Sequence, residues 1–531
     1  MHWQYFELNK SAAIAIIAVL VVAVLAGAGL LLSFSARHSR SSGNNFDVIA
    51  DYQNASPGRG LVRLPYPFFG AGGVGSSKLS SNPQLLSLLL SSGIAWTRVE
   101  AQLPLVFPTP SSMRSPDYSS IDAELQAATS AGFSHIIILV DYTPPWLIND
   151  TGFPCLTAAH YPPSNFTEWG ELASMIVQHI YSKFNLPSYY IEIWNEPDAA
   201  KFLCVNPSER EATYFSIFKA AAVAISNEVN SSRVILGGPA LANPVRDAKM
   251  IYDFVHDEEI AGYIGFVSYH QYSLASSYDT WLGNQESVLQ AEQSPITGYA
   301  AVYINISNIV HHGLQPDPAN TPVFITEYNS NAVLPGCCGN SPVYAPLYNA
   351  LVVSDLFQTV RMNGSDGSLP AGIIYFTLSS PTTGACMFGT WDAQMDCSTS
   401  GPIQPYPSFY LYQLIASSNY LGIAGSSYLA AYSTKLSNLT LTFLPLLSDK
   451  SFSLVIVNPY QNNVKNVSIL FKNLALQTCP ARAWVYTIVN SSSNESIESS
   501  QLQTASNSQG CSVVMSQVPG YSVLAISLPR G

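Results

Sequence analysis

Eight short apolar or aromatic runs recur between residues 66 and 379, and the intervals between them read as helices. The runs are "YPFFGAG" (66–72), "AWTRVE" (95–100), "HIIILVDY" (135–142), "YYIEIWNE" (189–196), "RVILGGPA" (233–240), "GFVSYHQY" (265–272), "PVFITEY" (322–328) and "GIIYFTLS" (372–379). Near-continuous apolar strands belong to sheets buried on both faces, which are parallel sheets joined by helical crossovers. The intervals carry helix punctuation. Asn82 stands as N-cap with Pro83 at the first helical position before "QLLSLLL", and that helix stops near Gly93. A second helix begins near Ser120, with Glu124 in its first turns, and ends near Gly132. Eight βα units that close on themselves make an α/β fold of the (β/α)8 TIM barrel type, here over residues 61–418. A doubly wound open sheet is the alternative arrangement of the same units. In a barrel, the polar residues at the strand C-termini converge on one mouth.

After about residue 420 the pattern changes to short alternating strands, "LTLTFLPLL", "SFSLVIVNP", "NVSILF", "ARAWVYTIV" and "YSVLAISLP", which predict a C-terminal β-sandwich accessory domain over residues 419–531. At the other end, a short tail (1–10) precedes an apolar segment (11–34), and a polar, turn-rich linker (35–60) that can contribute a first strand follows. No charge interrupts Ser11 to Ala36, long enough for an N-terminal transmembrane helix that anchors the chain in a membrane. A cleaved signal peptide with Ala26 and Ala28 at its cleavage site is the competing reading, but apolar sequence continues to Leu32. Lys10 before the span and Arg37 and Arg40 after it weakly favour the orientation that keeps the bulk in the cytosol. The sequons oppose them: Asn-x-Ser/Thr occurs at Asn54, Asn149, Asn165, Asn230, Asn305, Asn363, Asn438, Asn466, Asn490 and Asn494, as in a glycoprotein, although a Ser- and Asn-rich chain also yields such triplets by chance. Eight cysteines without a CxxC pair suit an oxidising compartment. Cys386 with Cys397, Cys479 with Cys511 and Cys155 with Cys204 are plausible bridges, and Cys337 and Cys338 stand adjacent without an evident partner. The expected location is extracellular or luminal, membrane-anchored in a single pass, or secreted if the segment is cleaved.

A formal net charge of -12 speaks against nucleic acid, because a protein without a basic face gains no counterion release. No His/Cys cluster has zinc spacing, so no metal is expected. "GAGGVG" (70–75) matches the dinucleotide fingerprint letter for letter, yet "SSKLSSNP" separates it from the next helix and no acidic residue follows about 20 positions on. It reads as a glycine loop after the first barrel strand, and no cofactor is expected.

The carboxylates carry the information. Only 34 residues of 531 are acidic, and two of these directly follow apolar strands: Glu196 in "IEIWNEP" and Glu327 in "VFITEYN". A carboxylate in apolar surroundings is costly to ionise, which raises its pKa and suits it to donate a proton near neutral pH. A salt bridge to a neighbouring Arg is the plainer explanation, but Lys and Arg together number only 22. The same strand ends gather amides and aromatics: Asn195 to donate to a hydroxyl, Arg98 to hold a carboxylate ionised, and Trp146, Trp194, Tyr269, His270, Tyr272, Tyr328 and Trp391 as faces for sugar rings. Two carboxylates across a sugar-lined pocket define glycosidic bond cleavage, with retention at a separation of about 5–5.5 Å and inversion at wider spacing.

"IEIWNEPD" on the fourth strand and "ITEYNS" on the seventh resemble the acid/base and nucleophile signatures of clan A retaining glycoside hydrolases. "YTPPWL", "LGGPA" and "SYHQY" on the third, fifth and sixth resemble more specifically the family of β-xylosidases and α-L-iduronidases. The resemblance covers about residues 60–415, and an appended β-sandwich is typical of such families. It implies that Glu196 is the acid/base and Glu327 the nucleophile, that Asn195 holds the hydroxyl beside the anomeric carbon, and that His270, Tyr272 and Arg98 orient or tune the glutamates. The chain departs from the pattern in its apolar N-terminal segment and in the loop with "PGCCGN" after the seventh strand. The expected partner is an oligo- or polysaccharide, with neutral sugars favoured by the scarcity of Lys and Arg. A transglycosidase that remodels surface glycans, or a non-catalytic carbohydrate-binding protein, are the rival functions.

Overall fold

The computed structural model describes residues 46–53, 68–72, 88–229, 231–272, 298–329, 347–357, 369–376, 388–390, 403–423, 428–434, 441–487 and 497–530, with gaps of one to four residues inside some ranges. The first strand, β1 (Val48–Asp51), belongs to a C-terminal sheet. The next eight are β2 (Phe69–Gly72), β3 (Trp96–Gln102), β4 (His135–Asp141), β5 (Tyr189–Ile193), β6 (Val234–Leu241), β7 (Phe266–Tyr272), β8 (Val323–Asn329) and β9 (Gly372–Tyr375). They pair in sequence order as a closed parallel barrel, and all eight expected strands are present. Closure comes from β2 pairing with β9, Phe69 opposite Ile373 and Ala71 opposite Tyr375, which rules out the open sheet.

Side chains alternate along each strand, so every second residue points into the barrel. At the N-terminal ends Trp96, Ile137, Phe266, Phe324 and Ile374 meet in a dry plug, with Tyr190, Ile235 and Ala371 packed against it. Gly70 of the "GAGGVG" run belongs to this floor: a Cβ there would lie 2.4 Å from Ile374 Cδ1 and 2.6 Å from Trp96 Cβ. Its glycine is a packing requirement of the floor. With the floor sealed, polar residues two positions further along the strands have only the opposite mouth to open onto.

Helices Ser119–Ser130, Phe166–Lys183, Arg210–Glu228, Ala248–His256 and Tyr299–His311 lie between strands. The second of the expected helices starts at Ser119 and is followed by Gly132 at φ +91°, close to where its punctuation placed it. Asn165 caps Phe166–Lys183 by accepting from the Glu168 amide at 3.3 Å. That helix crosses Arg210–Glu228 at Gly170, where a Cβ would lie 2.4 Å from the Ala220 carbonyl oxygen.

The C-terminal region forms two sheets of five and six strands. Their facing residues, among them Phe443, Leu454, Ile456, Ile469, Phe471, Val513, Leu524 and Ile526, share one core, as the alternating pattern predicted for a sandwich. β1 enters this core from the expected linker: Val48 and Ala50 are fully buried, and the strand pairs in parallel with Val464–Lys472. The other face of the six-stranded sheet, through Leu444, Leu446, Val455, Val457, Val523 and Ala525, joins the barrel's own core.

Disulfides join Cys155 to Cys204 and Cys479 to Cys511, as the sequence suggested. The pairing of Cys386 with Cys397, and the neighbours Cys337 and Cys338, lie outside the described residues. So does the apolar segment 11–34, and no helix among the described residues is long and apolar enough to cross a membrane.

Candidate active site

β5 explains how two adjacent side chains reach one pocket. Its alternation sends Glu192 inward and Ile193 outward; the chain then turns through left-handed backbone at Trp194 (φ +66°) and again at Glu196 (φ +47°). Trp194 is driven into the core, wholly buried, with its indole N–H donating to the Phe202 carbonyl at 2.9 Å. Asn195 and Glu196 thereby face the mouth. Left-handed backbone at a bulky residue costs about 1–3 kcal/mol and persists only where surroundings over-determine it. Here the Trp194 amide donates to Val140 and the Glu196 amide to Ala240, binding the turn to both neighbouring strands.

β7 and β8 are re-aimed in a related way. Their register shifts between Tyr269 and His270, which sets His270 opposite Glu327. Nδ1 of His270 then lies 2.9 Å from Glu196 Oε1 and 3.5 Å from Glu327 Oε2. Tyr272 donates its hydroxyl to Glu327 Oε2 at 2.6 Å. From β3, Arg98 extends one guanidinium to three acceptors: Nε to Glu192 Oε2 at 2.7 Å, Nη1 to Glu327 Oε1 at 2.6 Å and Nη2 to Asn195 Oδ1 at 3.0 Å. Glu196, His270 and Glu327 each offer an atom within 4.8 Å of the others.

The two glutamates stand in different fields. Glu327 is clasped by a cation and a phenol. Glu196 is pushed up to about 7, chiefly by burial, with Lys201 and Arg98 pulling the other way. Burial dominates at His270 too, which drops to about 4 and is neutral at physiological pH. Its proton is best carried on Nδ1, facing both carboxylates, since buried Nε2 has no hydrogen-bond partner. Burial opposes the charge on Arg98, but Glu192 and Glu327 outweigh it and raise its pKa. The trio of Glu196, His270 and Glu327 is the set a metal ion could use among the described residues. A cation there would face the Arg98 charge, which already neutralises Glu327.

Of the residues singled out from sequence, Arg98, Asn195, Glu196, His270, Tyr272 and Glu327 are brought together. Tyr328 is a correction: it is wholly buried, edge-on to Tyr299 and Tyr375, because alternation turns the neighbour of an inward Glu327 outward. Tyr269 is wholly buried for the same reason, beside His270. Trp146 is half-buried against the core and its indole N–H is spent on the Phe107 carbonyl at 2.8 Å. Trp391 lies outside the described residues.

Three residues escaped sequence reading. Glu192, in the middle of "YYIEI", is wholly buried and pairs with Arg98; a lone carboxylate inside an apolar strand was its signal. Asp198, just past "NEP", has a 2% exposed side chain and accepts from the amides of Ala242 (2.8 Å) and Asn243 (2.9 Å). Asp141, ending β4, is wholly buried with neither carboxyl oxygen hydrogen-bonded. Burial, then the charge of Glu100, pushes its pKa well above the ordinary carboxylate range.

Comparison with known proteins points one way. The model of glycosyl hydrolases family 39 matches residues 150–372, which include both strand-end glutamates. A β-xylosidase of Caldicellulosiruptor saccharolyticus is 28% identical over 183 residues, 33% of this chain and 34% of that protein. The chain thus spans about a third of the length of that curated relative. Among solved structures, a monomeric β-xylosidase from Caulobacter crescentus CB15 superposes with a TM-score of 0.60 at 14% identity, covering 91% of this chain and 99% of the other. A family 39 enzyme from Xanthomonas axonopodis pv. citri gives 0.57 at 12%, covering 93% and 99%. At such identities the superpositions speak for a shared fold alone. The resemblance carried by the strand-end motifs therefore holds, and over residues 150–372 the chain is similar to glycosyl hydrolases family 39.

Proposed function

We propose that the chain is a retaining glycoside hydrolase that cleaves oligo- or polysaccharides by double displacement. The observation that carries this reading is the pair of carboxyl groups on β5 and β8, with oxygens within 4.8 Å of one another across the mouth. Oxygens that close support the short spacing of retaining enzymes, about 5–5.5 Å between carboxyl groups, against about 6.5–9.5 Å in an inverting pair that admits a water. Glu327, held by Arg98 and Tyr272, attacks the anomeric carbon while Glu196, protonated below about pH 7, gives its proton to the departing oxygen. The roles then reverse at Glu196, which takes a proton from water as that water releases the sugar from Glu327. Asn195, fixed by Arg98, faces the same mouth and can meet the hydroxyl beside the reacting carbon.

The sugar is proposed to be neutral, because the charge of Arg98 is already matched by Glu192 and Glu327 and three of its five N–H groups are committed to Glu192, Glu327 and Asn195. The β-xylosidase names of the similar proteins make xylosides the first substrates to try. We further place the barrel outside the cytosol, tethered by segment 11–34: sequon residues Asn149, Asn165, Asn305 and Asn466 are all exposed and two disulfides are formed.

The test uses the full chain and a panel of aryl glycosides, with Glu327→Gln and Glu196→Ala beside the parent. Glu327→Gln should abolish turnover, and azide should restore part of the Glu196→Ala activity as a glycosyl azide of unchanged anomeric configuration. Near-normal turnover by Glu327→Gln would overturn the reading.

A further inference from the structure

Glu196 sits on a turn that its own sequence does not favour. Trp194 and Glu196 are left-handed, and so is Ala240 (φ +53°), the residue on β6 whose carbonyl accepts the Glu196 amide at 3.2 Å. Two such strained segments lie side by side, and a single backbone hydrogen bond of that length holds the carboxyl's own residue to its neighbour. Two residues on, Asp198 closes the arrangement. Its Oδ1 accepts from the Ala242 amide and its Oδ2 from the Asn243 amide, so one carboxylate grips both residues directly after β6. Arg246 stands 3.7 Å from Oδ2, and Arg210 donates to the Asp198 backbone carbonyl at 2.8 Å. The Ala199 amide donates back to the Glu196 carbonyl at 3.0 Å, which makes 196–199 one turn. Only 2% of the Asp198 side chain is exposed and both its oxygens are filled, so it meets no substrate.

We propose that Asp198 is a positioning residue for proton transfer: by clamping the turn after β5 to the loop after β6 it fixes the direction in which Glu196 presents its proton to the leaving oxygen. The inference rests on the reading of Glu196 as acid/base. It assigns Asp198 an effect on the proton transfers of Glu196, read here in the step that expels the leaving group, and leaves the residues that hold Glu327, on β3 and β7, untouched.

The experiment is a leaving-group series on the full chain. Dinitrophenyl glycosides depart without a proton, whereas phenyl and methoxyphenyl glycosides need one, and positioned general acids contribute about 10²–10⁴-fold. Asp198→Ala should lower kcat/KM by about tenfold or more for the phenyl substrates and by less than about threefold for dinitrophenyl. Asp198→Asn, which keeps one acceptor, should fall between and carries the test should the Ala variant not fold. Equal losses across the series, or none, would overturn the proposal. Glu196→Ala, run in parallel, separates the two levels: a steep leaving-group dependence there with a flat one at Asp198 refutes the clamp alone, and a flat one at Glu196 refutes the acid/base assignment itself.

Discussion

Arg98 is the residue on which stability and the site meet, and its removal has a calculable cost. In Arg98→Met the Glu192 carboxyl, wholly buried, loses its one partner; its other oxygen has none already. Glu327 fares better, since it keeps the Tyr272 hydroxyl and reaches the mouth. The cost is therefore set mainly by Glu192, and breaking one side of a buried ion pair destabilises by about 3–5 kcal/mol. Replacing both partners by apolar groups of similar size is often neutral. Arg98→Met with Glu192→Met should thus recover at least about 2 kcal/mol of that loss, a coupling far above the few tenths expected of independent sites. Urea unfolding of the parent, the two single variants and the double variant, followed by tryptophan fluorescence, measures the cycle. Additive losses, or a single variant that costs less than about 1 kcal/mol, would refute the view that Arg98 neutralises Glu192.

Two further outcomes follow from the fields around buried carboxyls. Activity that needs Glu196 protonated should fall as pH rises through about 7, and Lys201→Met should move that basic limb of kcat/KM upward by removing a charge that lowers the Glu196 pKa. Asp198 is also pushed up to about 7 by burial, but Lys201 is not among the charges acting on it, so an unmoved limb would transfer the titration away from Glu196. Asp141 keeps its proton when folded and loses it near 3.8 when unfolded, so the parent loses stability as pH rises above that value. Asp141→Asn removes the titration. Its urea midpoint should gain on the parent's as pH rises above 3.8; a variant that loses ground to the parent over that rise would show that the ionised carboxylate is the native form.

The barrel was legible because its strands are apolar on both faces and its helices are punctuated, two signals that are local in sequence. Glu196 and Glu327 were legible for the same reason, as carboxylates at the ends of such strands. What was misread or missed depends on contacts distant along the chain. Tyr328 was grouped with its neighbour Glu327, although the register slip after Ile325 that turns Glu327 to the mouth sends Tyr328 outward to Tyr299 and Tyr375. Trp146 looked free until the Phe107 carbonyl, 39 residues earlier, claimed its N–H. Glu192 needs Arg98, 94 residues away, and Asp198 needs amides 44 and 45 residues on. The linker strand β1 has its parallel partner at Val464–Lys472, near the far end of the chain. No local pattern encodes such pairings; the closing of the barrel and the sandwich brings them together.

The most direct measurement is covalent trapping. Incubation with a 2-deoxy-2-fluoro aryl glycoside, whose fluorine slows both steps and whose activated leaving group rescues the first, should leave one sugar on the protein. Peptide mass spectrometry should then find it as an ester on Glu327 in "VFITEYN". A label on Glu196, or steady turnover with inverted product and no label at all, would contradict double displacement through this pair.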